Sequence, residues 1–233
     1  MMRLDKYLAQ ATDYSRKEIK KAIRRAEVLV NGRQADDPAM KVEEGDEILL
    51  DGQRIHHQDK RYFMLNKPEG VVSVTKDGRN LTVLDLLLDE PNRERLHIAG
   101  RLDKDATGLL LITDDGEWTH RVISPRRHCD KVYRVHLAEA LEPSMVDRFA
   151  QGIWLEEEKK RCLPARLEIL DPTTARLTVQ EGKYHQVKRM FAALGNRVVA
   201  LHRERIAGIA LDPTLAPGDY RPLTAAEIAS VSP

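Results

Sequence analysis

Aromatic residues are scarce in this chain, at 5% of 233 residues. Cysteine is scarcer: Cys129 and Cys162 are the only two, too few for a disulfide framework and without metal-ligand spacing. Long apolar runs are missing as well. The stretch LLLI at residues 109–112 falls far short of the roughly 20 residues that span a bilayer. The start, MMRLDKYLAQ, is charged and lacks the apolar stretch of a secretory signal. There is no glycine-rich phosphate loop, no low-complexity segment and no repeat. Nor is there an excess of charge: 38 Lys and Arg against 37 Asp and Glu leave +1. Taken as a total, that argues against a uniformly basic nucleic-acid coat. These absences predict a soluble, cytoplasmic protein with no membrane segment and no disulfide or metal staple. What is present is 42% apolar and 32% charged residues, enough for a core and for one to two domains.

Residues 1–58 read as a small unit. Leu4, Leu8 and Ala11 share one helical face, and Ile19, Ala22, Ile23 and Ala26 share another. Ser15, with Glu18 three residues on, has capping-box spacing. VLVNG and GDEILLDG read as strands ending in turns, and QRIHHQDK as a linker, which would let the two parts move. From residue 61 to 233 strand-like segments dominate: RYFMLN, GVVSVT, GLLLIT, KVYRVHL, ARLEIL, ARLTV and VVAL. Helical stretches are expected near 82–88, 116–123, 143–151 and 184–194. The pattern predicts an α+β domain on a mainly antiparallel sheet with flanking helices.

Charge is unevenly distributed. Residues 15–25, SRKEIKKAIRR, carry six basic residues and one acid. At about 100° per residue, Arg16, Lys17, Lys20, Lys21, Arg24 and Arg25 fall on one half of a helix and the apolar residues on the other. Such a face tracks phosphates, although a charge run alone also fits a solvated helix. Residues 34–51 carry seven acids against Lys41. Two further basic stretches, 120–136 and 183–205, contain Tyr133 and Tyr184 among their charges, a composition suited to gripping a backbone and stacking exposed bases.

The segment GRLDKDATGLLLIT, residues 100–113, places Asp103 and Asp105 at a turn before an apolar strand. An Asp there is ordinary turn chemistry, and the two acids equally invite an acid–base or metal reading with a histidine such as His97. Spacing alone does not choose.

Two resemblances do. The order RLDKYL, SRKEIKKAIR, VLVNG resembles the alpha-L RNA-binding domain of the ribosomal-protein-S-four type, whose RNA surface is the helix from Ser15 to Arg25. That pattern usually has glycine where Ala26 stands, so the helix exit is expected to differ. The order RYFMLNKPEGVV, GRLDKDATGLLLITDDGEWTHR, SPRRHCDKVYRV, EGKYHQVKRMFAALGN and LHRERI resembles the pseudouridine synthases that share an RLD motif, in their ribosomal small-subunit branch. Ala207 stands where relatives often have glycine, which puts the local turn in question.

The resemblance implies isomerisation of a uridine of 16S ribosomal RNA, uridine 516, without cofactor or metal, since nothing is oxidised, hydrolysed or added. It implies Asp103 as nucleophile, Lys188 as the cation paired with it, Tyr133 as a stacking partner of the target base, and Arg101 as a support of the flipped arrangement. Arg16, Lys17, Lys20, Lys21, Arg24, Arg25, His185, Arg189 and Arg203 are the expected RNA contacts. The expected partner is 16S RNA in a small-subunit assembly intermediate, and the expected state a monomer. A binding-only assembly factor is the alternative.

Overall fold

The computed structural model describes residues 1–231 except 13, 44, 56–59, 156, 157 and 159. The chain forms two compact units, Met1–Asp59 and Lys60–Pro233.

The first unit runs β1 (Met2–Arg3), α1 (Leu4–Ala11), α2 (Arg16–Arg24), β2 (Val28–Val30), β3 (Arg33–Gln34), β4 (Lys41–Val42), β5 (Ile48–Leu50) and β6 (Gln53–Ile55). Helix α2 begins in the expected capping box. The Ser15 hydroxyl accepts the Glu18 N–H at 3.3 Å, and the Glu18 carboxylate accepts the Ser15 N–H at 2.7 Å. Ile19, Ala22 and Ile23 are buried, against Leu4 and Leu8 of α1 and Val28 and Ile48 of the sheet. The sheet has the order β3-β2-β5-β6. Its two hairpins turn on Asn31-Gly32 and Asp51-Gly52, each with both central residues at positive φ, as tight hairpin turns require.

Two expectations change here. Residues 53–55 are not linker: β6 pairs with β5, Gln53 opposite Leu50 and Ile55 opposite Ile48. The Asp51-Gly52 turn returns the chain along β5 although its residues are polar. Of the remainder of that expected linker, 56–59 lie outside the described residues, and Lys60 pairs with Asp115 at 2.7 Å. The exit of α2 does not depart from the glycine pattern either. Ala26 takes φ 62, with Ala26 N–H bonded to Ile23 O and Glu27 N–H to Ala22 O, both at 3.1 Å. This closed pair of terminal bonds outweighs the roughly 1–2 kcal/mol of left-handed strain on an L residue.

The second unit contains β7 (Tyr62–Lys67), β8 (His97–Ile98), β9 (Thr107–Thr113), α3 (Gly116–Ile123), β10 (Lys131–Leu137), α4 (Ser144–Ala150), β11 (Arg166–Asp171), β12 (Thr174–Val179), α5 (Gln186–Ala192), β13 (Val198–Ile206), β14 (Ile209–Ala210), β15 (Tyr220–Pro222) and α6 (Ala225–Ala229). The sheet order is β11-β12-β10-β13-β9-β7-β15, with β8 added on β9 and β14 on β13. All pairs are antiparallel except β9 with β13. The fold is thus the expected α+β arrangement on a mixed, mainly antiparallel sheet.

Strand β9 explains its own unbroken apolar run. Leu110 and Ile112 face one core, with Val135, Leu177, Phe149 of α4 and Phe191 of α5. Leu109 and Leu111 face another, with Trp118 of α3 and Ile206. A strand buried on both faces has no use for alternation.

Three local expectations are corrected. GVVSVT is not a strand: Val72 makes one isolated bridge to Thr82, and buried Ser73 bonds to the Asp103 turn instead. Residues 82–88 shrink to a single 3₁₀ turn, Val83–Leu86, capped by Thr82 and Asp85. Helix α5 starts at Gln186 because His185 holds a left-handed conformation, φ 46. The turn at Ala207 is kept at φ 49, its N–H bonded to Asp130 O at 2.8 Å.

Candidate active site

Asp103 lies in the turn between β8 and β9, where β9 runs beside its parallel neighbour β13. Close approach there depends on Gly108: at φ +99, a side-chain carbon on it would stand 2.4 Å from Arg203 O. The register sets Arg203 opposite Gly108, and the Arg203 side chain passes beneath the turn.

The turn is held by its carbonyls. Arg203 Nη2 donates to Gly100 O at 2.7 Å, Nη1 to Arg101 O at 3.3 Å, and Nε to Leu109 O at 2.8 Å. Ser73 Oγ donates to Leu102 O at 2.7 Å. The Asp103 carbonyl takes the Ala106 N–H at 3.1 Å. From the other side Lys67 Nζ donates to Ala106 O at 2.8 Å, Lys104 O at 3.3 Å and Pro68 O at 3.0 Å. Arg203 and Lys67 are 1% and 0% exposed. Buried cations are costly unless hydrogen-bonded, and these two are bonded to turn carbonyls.

The Asp103 side chain is left out of this scheme. Among the described residues it takes no bond from its own turn. Its carboxylate meets Lys188 Nζ at 3.2 Å and His185 Nε2 at 3.4 Å, both from the start of α5. Lys188 also reaches Asp105 at 2.6 Å. Partial burial disfavours the Lys188 charge, but the hydrogen bonds to Asp105 and Asp103 outweigh it and hold the ammonium above its usual range. The bond from Lys188 in turn holds the Asp105 carboxyl below the ordinary carboxylate range. Lys67 goes the other way: burial pushes it down to about 8, against the pull of Asp105 and Asp103.

The predicted residues are therefore placed as follows. Asp103, Lys188 and His185 are brought together. Arg101, two residues before Asp103 in the chain, is exposed and makes no ion pair among the described residues. Tyr133, on β10, is 8% exposed. Its hydroxyl is 3.4 Å from Arg203 Nη1, and the guanidinium carbon lies 5.9 Å from its ring centroid. Arg189 is drawn into the loop before α5, bonded to Glu158 at 3.3 Å and to Tyr184 O at 3.1 Å. Arg203 is corrected: a buried guanidinium bonded to carbonyls is not on a surface that RNA reaches. Arg16, Lys17, Lys20, Lys21 and Arg24 on α2 of the first unit, and Arg25 at its C-cap, are all exposed.

Lys67, Ser73 and Gly108 are structural residues of the site that sequence reasoning missed. The sequence signal for Lys67 was slight, a lysine ahead of Pro68 at the end of an apolar strand. An open groove of about 670 Å³ extends from His185 and Lys188 past Arg189 to Asn196 and Arg197. Among the described residues no group of three His, Cys, Asp or Glu could hold a metal ion.

Residues 61–193 match the family model described as RNA pseudouridylate synthase, and residues 2–48 match the S4 domain. The chain is 54% identical over 232 residues to the ribosomal small subunit pseudouridine synthase A of Vibrio parahaemolyticus, covering 99% of each chain. It is 52% identical over 231 residues to the protein of that name from Escherichia coli, covering 99% of this chain and 100% of that one. A solved crystal structure of a pseudouridylate synthase matches with a TM-score of 0.73 at 45% identity, over the whole of both chains.

Proposed function

This chain belongs to the RNA pseudouridylate synthase family, and from that premise we propose that it converts one uridine of 16S ribosomal RNA, uridine 516, to pseudouridine with Asp103 as nucleophile. The reaction is an isomerisation. The N1–C1′ bond breaks, the base turns, C5 bonds to C1′, the C5 proton leaves and N1 gains one. Every atom of the product comes from the substrate, apart from protons exchanged with water.

One observation carries the reading: Asp103 sits in a turn whose carbonyls are held by other groups, and its carboxylate is committed to Lys188 and His185, two residues that also line an open groove. A nucleophilic carboxylate needs a counter-charge as substrate displaces water around it, and the adjacent Lys188 ammonium supplies one. Tyr133 packs against the target base. Arg101, exposed in the same turn segment as Asp103, supports the flipped arrangement. Extrusion of the base costs a few kcal/mol, least where the RNA is loosely paired, which favours an assembly intermediate as substrate. The exposed basic face of α2 adds salt-dependent affinity and placement, with no part in the chemistry. His185 and Arg189 line the groove along which the RNA backbone passes. The protein works as a cytoplasmic monomer.

Mapping pseudouridines in ribosomal RNA tests this. Cells lacking the protein are expected to lose one 16S pseudouridine. Wild type is expected to restore it, and Asp103→Asn is not. An unchanged 16S map would rule the assignment out and leave a binding-only factor.

A further inference from the structure

Tyr184 is the most exposed aromatic among the described residues, at 76%. Its ring lies flat on the imidazole of His185, with centroids 3.9 Å apart and planes at 18°. Nε2 of that imidazole is the atom 3.4 Å from Asp103. The stack therefore begins at the reactive carboxylate and ends in a ring with an uncovered face.

The backbone beneath the stack is fixed. Tyr184 O accepts Arg189 Nη1 at 3.1 Å. Arg189 and Lys183 both reach Glu158, at 3.3 and 3.1 Å. The Lys183 N–H bonds to Gln186 Oε1 at 2.9 Å, and buried Gln186 donates to Glu181 at 2.8 Å. His185 keeps its left-handed φ of 46 within this network, a strained conformation that persists only where surrounding contacts determine it. The ring is thus presented on an ordered support, so little loop ordering remains to oppose binding.

Tyr133 and Tyr184 are consequently different kinds of aromatic. Tyr133 is buried under the turn and suits a base taken out of its stack. Tyr184 is open, and suits a base that stays on the strand. Extruding a nucleotide leaves its neighbour with one bare face, and a waiting aromatic ring replaces the lost stacking.

We propose that the Tyr184–His185 stack is a nucleotide subsite that takes the base of one nucleotide flanking the target. The proposal rests on the reading of Asp103 as the centre of a uridine-isomerising site. The full-length protein is tested for equilibrium binding to a 16S RNA fragment carrying the target uridine. A series of the same RNA carries a single abasic residue at each of two positions on either side. Removing the partner base is expected to weaken wild-type binding between about fivefold and a hundredfold, the range for one stacked base. Tyr184→Ala is expected to lose a similar factor on intact RNA and nothing more on that abasic RNA, with its turnover defect in KM more than in kcat. Tyr184→Phe and Tyr184→Trp, which keep the ring, are expected to restore binding. If Tyr184→Ala and wild type respond alike to all four abasic positions, the subsite is refuted. Pseudouridine formation by wild type on the intact fragment is scored separately, so failure of the functional reading is not confused with failure of the subsite.

Discussion

Basic residues serve opposite ends in the two units of this protein. On α2 and its C-cap, six Lys and Arg side chains stand exposed around a helix whose other face buries Ile19, Ala22 and Ile23. Around Asp103, two cations are withdrawn from water: among the described residues Arg203 and Lys67 donate to backbone carbonyls of the turn, of Leu109 on β9 and of Pro68, and Arg203 weakly to the Tyr133 hydroxyl. Exposed charge of the first kind contributes little to stability, and under the proposed function it contributes affinity through counterion release. Buried charge of the second kind contributes geometry, at a desolvation cost that the carbonyl bonds offset. Lys188 lies between, half-buried and paired with two acids. Counting Lys and Arg treats all of these alike, which is why a net charge of +1 conveys so little.

Removing a buried cation should have the largest effect. Arg203→Ala leaves the Gly100, Arg101 and Leu109 carbonyls without their donor and opens a cavity. It is expected to lower stability by about 3 kcal/mol or more. Urea unfolding measures this, and a loss below about 1 kcal/mol would show that the turn holds its shape without the guanidinium. The salt slope of RNA binding by folded Arg203→Ala is expected to match wild type.

Reversing Arg16, Lys20 and Arg24 to Glu should give the converse pattern. RNA affinity is expected to fall about a hundredfold, and the dependence on salt to flatten by about 0.9 for each phosphate no longer neutralised. Unfolding should shift by less than about 1 kcal/mol. Binding titrations at several salt concentrations decide it, and unchanged affinity would remove α2 from the RNA surface.

Lys67 sharpens the comparison through pH. Burial lowers its folded pKa from 10.5 to about 8. Between those values the unfolded chain keeps a proton that the folded one has released, so this group makes stability rise with pH across the window. Wild type is expected to gain stability relative to Lys67→Met from about pH 8 to 10.5, followed by denaturation midpoints. Parallel curves would mean that Lys67 is not desolvated.

The smallest effect is expected at Ala26. Replacing it with glycine relieves a non-glycine φ of 62 without changing the helix exit, for a gain of about 1 kcal/mol. A lower melting temperature in Ala26→Gly would contradict the strain argument.

How much could be read from the sequence followed the range of the interaction. The capping box of Ser15 and Glu18, the amphipathic α2 and helix α3 are local patterns, and they stand where their residues predict. The apolar run of β9 and the alternation of β10 from Tyr133 to Leu137 likewise carry their own burial. Strand β6 was missed because its partner β5 supplies the apolar side chains while Gln53 and Arg54 face outward. Arg203 reads as an RNA contact in the sequence because its structural role depends on carbonyls 94 to 103 residues away, which no local period encodes. GVVSVT has the composition of a strand, yet Ser73 is bonded to Leu102 across 29 residues instead. Asp103, Lys188 and His185 were found through motif resemblance. Their meeting, across 82 to 85 residues, is a product of the β9–β13 register and the start of α5.

The most direct test of the account is pseudouridine formation by purified Asp103→Asn on 16S RNA, read by carbodiimide-dependent primer-extension stops, alongside RNA binding and unfolding of the same protein. The substitution keeps the size of a side chain that holds none of its own turn, so folding and binding should stay near wild type. Pseudouridine formation should disappear. A variant that still forms pseudouridine at a wild-type rate would contradict the assignment of Asp103 as the nucleophile.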